Sequence, residues 1–340
     1  MKTNYDLFGN PVIEKTELKS EFIINPFSIL DSAGGDWQNR KNRWKSLGIK
    51  SEVGRGEPNS GGFDYEQNGK ATLKRLKTGV IDWTNRKAQW NKTTAIKVGT
   101  DDYRTIKNKD GYDNRDNYVS IFDPVLCEVM YHWFVRKGGS ILDPFAGGSV
   151  RGIIANYLGY NYTGIELREE QVDANIQQGI DIVPDNKPEW VCGDSNQVLD
   201  GIDRQFDFVF SCPPYYDLEV YCDDLNDLSN MSYNEFNEVY ESIINKSCKL
   251  LRNNRFACFV VGNCRDKNGF LMDLVGNTVR AFEKAGLRLY NELILRNSYA
   301  SASMRAKGNM KYKKVVKVHQ NVLVFCKGNP KEFNKGENNG

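Results

Sequence analysis

Two apolar runs that break off abruptly into turn chemistry restrict the fold of this chain more than any other feature of it. Ile141-Leu142-Asp143 leads into Pro144-Phe145-Ala146-Gly147-Gly148-Ser149. Phe206-Asp207-Phe208-Val209-Phe210 leads into Ser211-Cys212-Pro213-Pro214-Tyr215-Tyr216. Short apolar runs closed by Gly and Pro read as buried strands. In an open parallel sheet, the edge just past the strand carboxyl ends is where ligands bind.

The surrounding periodicity agrees. Asp123-Pro124 reads as an N-cap and first-turn proline, and Val125, Leu126, Val129, Trp133 and Phe134 share a helical face that runs to Lys137-Gly138-Gly139. A strand at 140–143 is followed by a helix over about 149–158, a strand at 162–165 and a helix over about 168–178. Strands at 190–192 and 206–211 come next, and Ser232-Tyr233-Asn234-Glu235 fits a capping box that opens a long helix. A strand at 256–261, a helix over about 272–285 and strands at about 287–296 and 320–327 complete the series. Strands alternating with helices predict an α/β fold with a mainly parallel sheet and helices on both faces.

Residues 1 to about 115 read differently, as an irregular extension rich in Gly, Asn, Lys and Arg, with a loop-like stretch from Gly54 to Gly69. Asp36-Trp37-Gln38-Asn39-Arg40-Lys41-Asn42-Arg43-Trp44 is echoed by Asp82-Trp83-Thr84-Asn85-Arg86-Lys87-Ala88-Gln89-Trp90. Two readings stand: paired helices that bury tryptophans and turn their cations to water, or cations that track phosphates beside aromatic platforms.

Composition narrows the classes. The 340 residues, 40% hydrophobic, suffice for one large α/β domain and an extra module, and a net charge of +2 confines any polyanion binding to local patches. No apolar run is long enough to span a membrane, and Met1 to Asp6 holds no apolar signal core, so a cytoplasmic protein is expected. The 8 cysteines (127, 192, 212, 222, 248, 258, 264 and 326) form no Cys-x-x-Cys pair and read as reduced core residues. With His132 and His319 as the two histidines, no metal site is expected.

The chemistry gathers at the strand ends. Two adjacent glycines after Asp143 allow close backbone approach, and the N–H groups of such a turn can face a carboxylate or phosphate. Glu166, about 20 residues on, stands where an acid bonds ribose hydroxyls, and Asp194, in Cys192-Gly193-Asp194-Ser195, can accept from an adenine amino group. Each acid alone could equally be a strand-end cap. The full Gly-x-Gly-x-x-Gly fingerprint of a dinucleotide site is absent. In Cys212-Pro213-Pro214-Tyr215, the prolines fix a backbone whose carbonyls, Pro213 first, can accept from an exocyclic amino group, while Tyr215 can stack on an extruded base. Residues 297–319 hold Arg305, Lys307, Lys311, Lys313, Lys314 and Lys317 with no acid, and Tyr299 and Tyr312 are interleaved. This basic loop is either a solvated connection or a nucleic-acid contact. Asp217-Leu218-Glu219-Val220-Tyr221 follows the Pro-Pro-Tyr turn, where it either shapes a base pocket or caps the next segment.

These motifs resemble those of the S-adenosylmethionine-dependent DNA amino-methyltransferases, above all the methylases often encoded by phages and prophages. The resemblance covers about 118–328, and Pro26-Phe27-Ser28-Ile29-Leu30 with Trp37 to Ser51 also resembles the N-terminal part of those phage proteins. It implies a class I Rossmann-like methyltransferase with an antiparallel last strand, S-adenosylmethionine as cofactor and double-stranded DNA as partner. By the same resemblance Asp143, Phe145 and Gly147 form the cofactor loop, Glu166 binds the ribose and Asp194 contacts the adenine. Cys212, Pro213, Pro214 and Tyr215 form the catalytic tetrapeptide. Residues 1–115 would be a DNA-contacting extension, 116–328 the catalytic domain and 329–340 a flexible tail.

Two positions depart from the family pattern. Phe-x-Gly-x-Gly is here Phe145-Ala146-Gly147-Gly148-Ser149, and the usual Asp, Asn or Ser before Pro-Pro-Tyr is Cys212, whose thiol is a weak acceptor. The expected reaction is methylation of an exocyclic amino group, N6 of adenine ahead of N4 of cytosine. The alternatives are an RNA base methyltransferase, C5-pyrimidine methylation through a Cys212 thiolate, a non-catalytic cofactor-binding module and, more distantly, a dinucleotide oxidoreductase.

Overall fold

The computed structural model describes residues 16–49, 122–216, 227–266, 268–299 and 302–334. All of them fall in one compact unit. The N-terminal part contributes α1 (Thr16–Phe22), β1 (Ile29–Asp31) and α2 (Gly35–Ser46). Then come α3 (Pro124–Phe134), β2 (Ser140–Asp143), α4 (Val150–Tyr157), β3 (Asn161–Glu166), α5 (Glu169–Ile182), β4 (Glu189–Cys192) and β5 (Phe206–Ser211). The second half holds α6 (Tyr233–Leu250), β6 (Leu251–Val261), the small ribbon β7 (Cys264–Arg265) and β8 (Leu271–Met272), α7 (Leu274–Lys284), β9 (Arg288–Arg296), α8 (Ala302–Met310) and β10 (His319–Lys327).

Eight strands form one sheet in the order β1-β9-β10-β6-β5-β2-β3-β4. β2 pairs in parallel with β3 and β5, β3 with β4, and β5 with β6, whereas β10 is antiparallel to both β6 and β9. Numbered from β2, the order is 3-2-1-4-5-7-6 with the seventh strand reversed. That is the Rossmann-like methyltransferase fold, here extended by β1, which pairs in parallel with β9.

Alternation along the central strands divides the core into two layers. Phe256, Cys258 and Val260 of β6 and Val322 and Val324 of β10 join the layer under α2, α3 and α4. Ala257, Phe259 and Val261 with Leu323 and Phe325 join the layer under α6 and α7. Every one of these side chains is at most 5% exposed, as strands covered on both faces require.

The helix signals hold in detail at two places. The Asp123 side chain accepts from the N–H groups of Val125 and Leu126, with Pro124 in the first turn. The capping box of Ser232 and Glu235 forms in both directions. Three expectations need correction. α3 ends at Phe134, before Lys137, because Val135 is already extended and caps onto Tyr131 O. β6 begins at Leu251, ahead of the apolar run, because Leu251 already pairs with Phe206 of β5 before a register shift, and Arg255 pairs with Lys327 of β10. The connection 297–319 is no plain loop, for it contains α8. Ala, Met, Arg and Lys favour helix there, yet Ala302 is its one buried residue, so the run carries no apolar period.

The N-terminal segment forms two helices and a strand within 16–49. Its tryptophan motif forms one face of α2, docked on two acids of α3. Trp37 Nε1 (3.1 Å) and Lys41 Nζ (2.8 Å) reach the Asp123 carboxylate, while Trp44 Nε1 and Arg40 reach Glu128, both at 2.8 Å. The tryptophans are buried as the packing reading requires, and these two cations, half-buried, pair with protein carboxylates, while Arg43 of the same motif is exposed. The second copy, Asp82 to Trp90, and the Gly54 to Gly69 stretch lie outside the described residues, as does the 217–221 segment. Cys127, Cys248, Cys258 and Cys326 are buried as expected, but Cys192 is exposed and Cys212 and Cys264 are half-buried. No helix among the described residues is long and apolar enough to cross a membrane.

Candidate functional site

The carboxyl ends of β2, β3, β4 and β5 are tied into one edge. Ala146 N–H donates to Ile165 O, Gly147 N–H to Glu166 Oε2 and Gly193 N–H to Glu166 O, each at 2.9 Å, and Ser195 Oγ donates to Pro144 O at 2.5 Å. The predicted cofactor residues Phe145, Gly147, Glu166 and Asp194 are thereby brought together. Gly147 takes a left-handed φ of 52°. The space its missing Cβ would fill is open, with no atom within 4 Å, so the loop offers bare backbone to a ligand.

The acids divide in role. Glu166 accepts from Gly147 N–H and, through its other oxygen, from Arg168 N–H at 3.1 Å, and it pairs with the Arg168 guanidinium. Asp194 caps the short helix Ser195–Val198 through Oδ1, which accepts from Asn196 N–H at 2.9 Å, and stays half-buried. Asp143 is different. It is fully buried, and its two oxygens accept from Phe145 N–H (3.1 Å), Ser211 Oγ (2.5 Å), Tyr162 Oη (2.7 Å) and Arg151 Nε (2.5 Å). Four internal donors take up this carboxylate, so it orients the loop from beneath.

Arg151 completes that support. Its guanidinium also donates to Phe145 O (2.6 Å) and Ala146 O (2.7 Å) and lies 4.6 Å from the centre of the Phe122 ring. Burial alone would lower this arginine, but the Asp143 carboxylate outweighs it and holds the guanidinium above its ordinary range. A second buried relay runs from Arg168 through Gln171 to Asn175, whose amide donates to Gly147 O at 2.8 Å. Arg151, Tyr162, Ser211 and Asn175 are the supporting residues of this candidate site that sequence reasoning passes over. The available signals were a charged residue at the second position of an apolar helix and a Gln/Asn pair at i, i+4.

At the end of β5, Pro213 is buried, and Cys212, Pro214 and Tyr215 are half-buried. The Tyr215 hydroxyl accepts from Gln320 Nε2 at 3.0 Å and donates to Val260 O at 3.4 Å, with the Cys212 sulfur 3.7 Å away. Tyr216 has a left-handed φ of 58° and anchors its ring edge-on to Tyr233 and Phe236. A non-glycine residue in that region costs about 1–3 kcal/mol, so the turn after the tetrapeptide is held by packing.

The basic segment lies on the same edge. β9 runs with the parallel strands, so its last residue, Arg296, ends beside them, and Asn297 N–H closes on Val318 O at 2.9 Å. The arm between carries Arg305 and Lys307 on α8 and Lys311, Lys313 and Lys314 in the turns beyond it. All are exposed except the half-buried Lys314. Tyr299 and Tyr312 are 52% and 76% exposed, so aromatic faces stand among the cations. A separate cavity of about 520 Å³, between Phe22, Phe27, Trp133 and Leu293, includes none of the predicted site residues.

No protein-family model matches the chain, and no curated protein matches its sequence. Among solved structures it is similar to TrmN from Thermus thermophilus, with 14% identity, a TM-score of 0.42, and coverage of 63% of this chain and 52% of that one. The chain therefore spans about half the length of TrmN. A methyltransferase from Pyrococcus furiosus is 16% identical, with a TM-score of 0.41 and coverage of 73% and 100%. Magnesium protoporphyrin IX methyltransferase ChlM from Synechocystis PCC 6803, solved with bound SAM, is 11% identical, with a TM-score of 0.39 and coverage of 60% and 79%. These likenesses are of fold, and the class assigned above rests on the strand order itself.

Proposed function

We propose that this protein transfers a methyl group from S-adenosylmethionine to an exocyclic amino nitrogen of a base flipped out of duplex DNA, N6 of adenine ahead of N4 of cytosine. One observation carries the reading. The Phe145–Gly147 loop, Glu166, Asp194 and the Cys212–Tyr215 turn converge on one carboxyl edge, beside an acid-free basic arm.

The residues present fit the cofactor. The open backbone at Gly147 would face the methionine end, Glu166 would accept from the ribose hydroxyls, and Asp194 would accept from the adenine amino group through the oxygen that does not cap Asn196. A carboxylate has about four acceptor directions, so the existing bonds of Glu166 leave capacity for hydroxyls. The cofactor supplies an electrophilic sulfonium methyl. The chain supplies position. The Pro213 carbonyl accepts an amino N–H and so turns the nitrogen lone pair toward the methyl, while Tyr215 stacks on the base and holds its plane. The amino proton leaves after transfer, when the nitrogen has become acidic, so no strongly shifted base is required. Cys212 offers only a weak acceptor and leaves most of the orientation to the backbone. The basic arm supports a polyanionic substrate.

The test is cofactor binding by calorimetry together with methyl transfer to duplex DNA in competition with folded RNA. Transfer that RNA fails to suppress supports the reading. Transfer confined to RNA replaces the substrate and leaves the chemistry. Cofactor binding with no transfer to either refutes the catalytic claim.

A further inference from the structure

One cation of the arm is placed unlike the rest. Lys317 stands two residues before β10, and although the residue as a whole is exposed, its ammonium turns back onto the end of β6. A Cβ added to Gly262 would lie 2.7 Å from Lys317 Nζ and 3.6 Å from Cε2 of the Tyr215 ring. The ammonium and the ring therefore share the space that this glycine leaves open. The ring is fixed there by Gln320, three residues after Lys317, through the 3.0 Å bond to its hydroxyl.

Among the described residues no carboxylate or other acceptor bonds this ammonium. Partial desolvation holds it below the usual lysine range, with the nearby Cys264 opposing. His319 is lowered as well, by its own desolvation and by Lys317. A half-desolvated cation without a counterion is costly, and an anion arriving beside it relieves that cost.

We propose that Lys317 binds a phosphodiester of the flipped nucleotide and so locks that nucleotide against Tyr215, a role separate from the outer arm cations. The inference rests on the methyl-transfer reading above. A contact with the base itself is chemically disfavoured, because a cation on the ring would draw electron density from the amino group that must attack. The phosphate of the same nucleotide has no such conflict, and a lysine ammonium suits it as a point charge.

Gly262 supplies a test that leaves the charge in place. Its φ is not left-handed, and the atom a methyl would meet most closely is the tip of a flexible side chain, so Gly262→Ala should fold and displace Nζ from its seat. The measurement is the single-turnover rate of methyl transfer at saturating duplex DNA, with thermal melting as the check on folding. Lys317→Met should slow the rate about ten- to a hundredfold, the scale of a lost charged hydrogen bond. Lys317→Arg should retain most of it. Gly262→Ala should slow the rate comparably, and the double variant should be no slower than Lys317→Met alone. A wild-type rate in Lys317→Met, or a further loss when Gly262→Ala is added to it, overturns the assignment. Cofactor-loaded wild-type protein that methylates no DNA instead refutes the reading beneath the inference, and that outcome is visible before any variant is made.

Discussion

Replacing Arg151 with Met removes the positive half of a buried ion pair under the Phe145–Gly147 loop. Asp143 would keep the bonds from Ser211, Tyr162 and Phe145 N–H, but its charge would lose the cation that balances it in a site of 0% exposure. The carbonyls of Phe145 and Ala146 would also lose their guanidinium donors. Breaking a buried pair from one side costs about 3–5 kcal/mol. At roughly 2–4 °C per kcal/mol for a domain of this size, the melting temperature should fall on the order of 10 °C. Adding Asp143→Asn to Arg151→Met removes the orphaned charge and should recover a good part of that loss, which a mere packing defect would not allow. Circular dichroism melts of the three variants give the stabilities, and calorimetry with S-adenosylmethionine should show weaker binding in Arg151→Met because Phe145 and Ala146 are no longer held. A single variant within about 1 kcal/mol of wild type, or a double variant less stable than the single, would refute the claim that this pair supports the loop.

Three further outcomes follow from the same geometry. Tyr215→Ala should spare cofactor binding and lower kcat/KM by the worth of a base stack, about 1–3 kcal/mol or more; full activity would sink the stacking assignment. Neutralising Lys311, Lys313 and Lys314 together should weaken DNA binding and reduce the slope of log K against log salt by roughly 0.9 for each phosphate no longer neutralised; an unchanged slope would return the arm to a solvated connection. Asp207 is desolvated, yet the Ser140 N–H together with Arg252 and Arg255 holds its carboxyl below the usual 3.8. Its contribution is therefore present above the unfolded pKa and lost as pH falls through the lower folded value. The stability gap between wild type and Asp207→Asn should narrow below about pH 3.8, and a gap constant from pH 7 to pH 3 would contradict this.

What the sequence made legible was whatever announces itself locally. Asp123-Pro124, Ser232 to Glu235 and the apolar runs at 141–143 and 206–211 each state their conformation within a few residues. The convergence of Gly147 with Glu166 was legible because strand-end chemistry recurs once per β-α unit. The role of Asp143 was not, since its four donors come from positions 145, 151, 162 and 211, and only folding brings these together. Ser211 illustrates the same point: one place too early to stand in for Cys212, it faces inward and ties the end of β5 to Asp143 at the end of β2. The tryptophan motif gave a helix but not its partners, because Glu128 lies 84 residues from Trp44. α8 was hidden for the opposite reason, as a helix that buries almost nothing leaves no hydrophobic period to read.

The most direct test of the central claim is mass spectrometry of nucleosides from duplex DNA incubated with the protein and S-adenosylmethionine. The account predicts a new N6-methyladenine or N4-methylcytosine nucleoside, formed more slowly when Tyr215 is replaced by Ala. A C5-methylcytosine peak would contradict it and make Cys212 the nucleophile, and no methylated base from protein that binds the cofactor would contradict it outright.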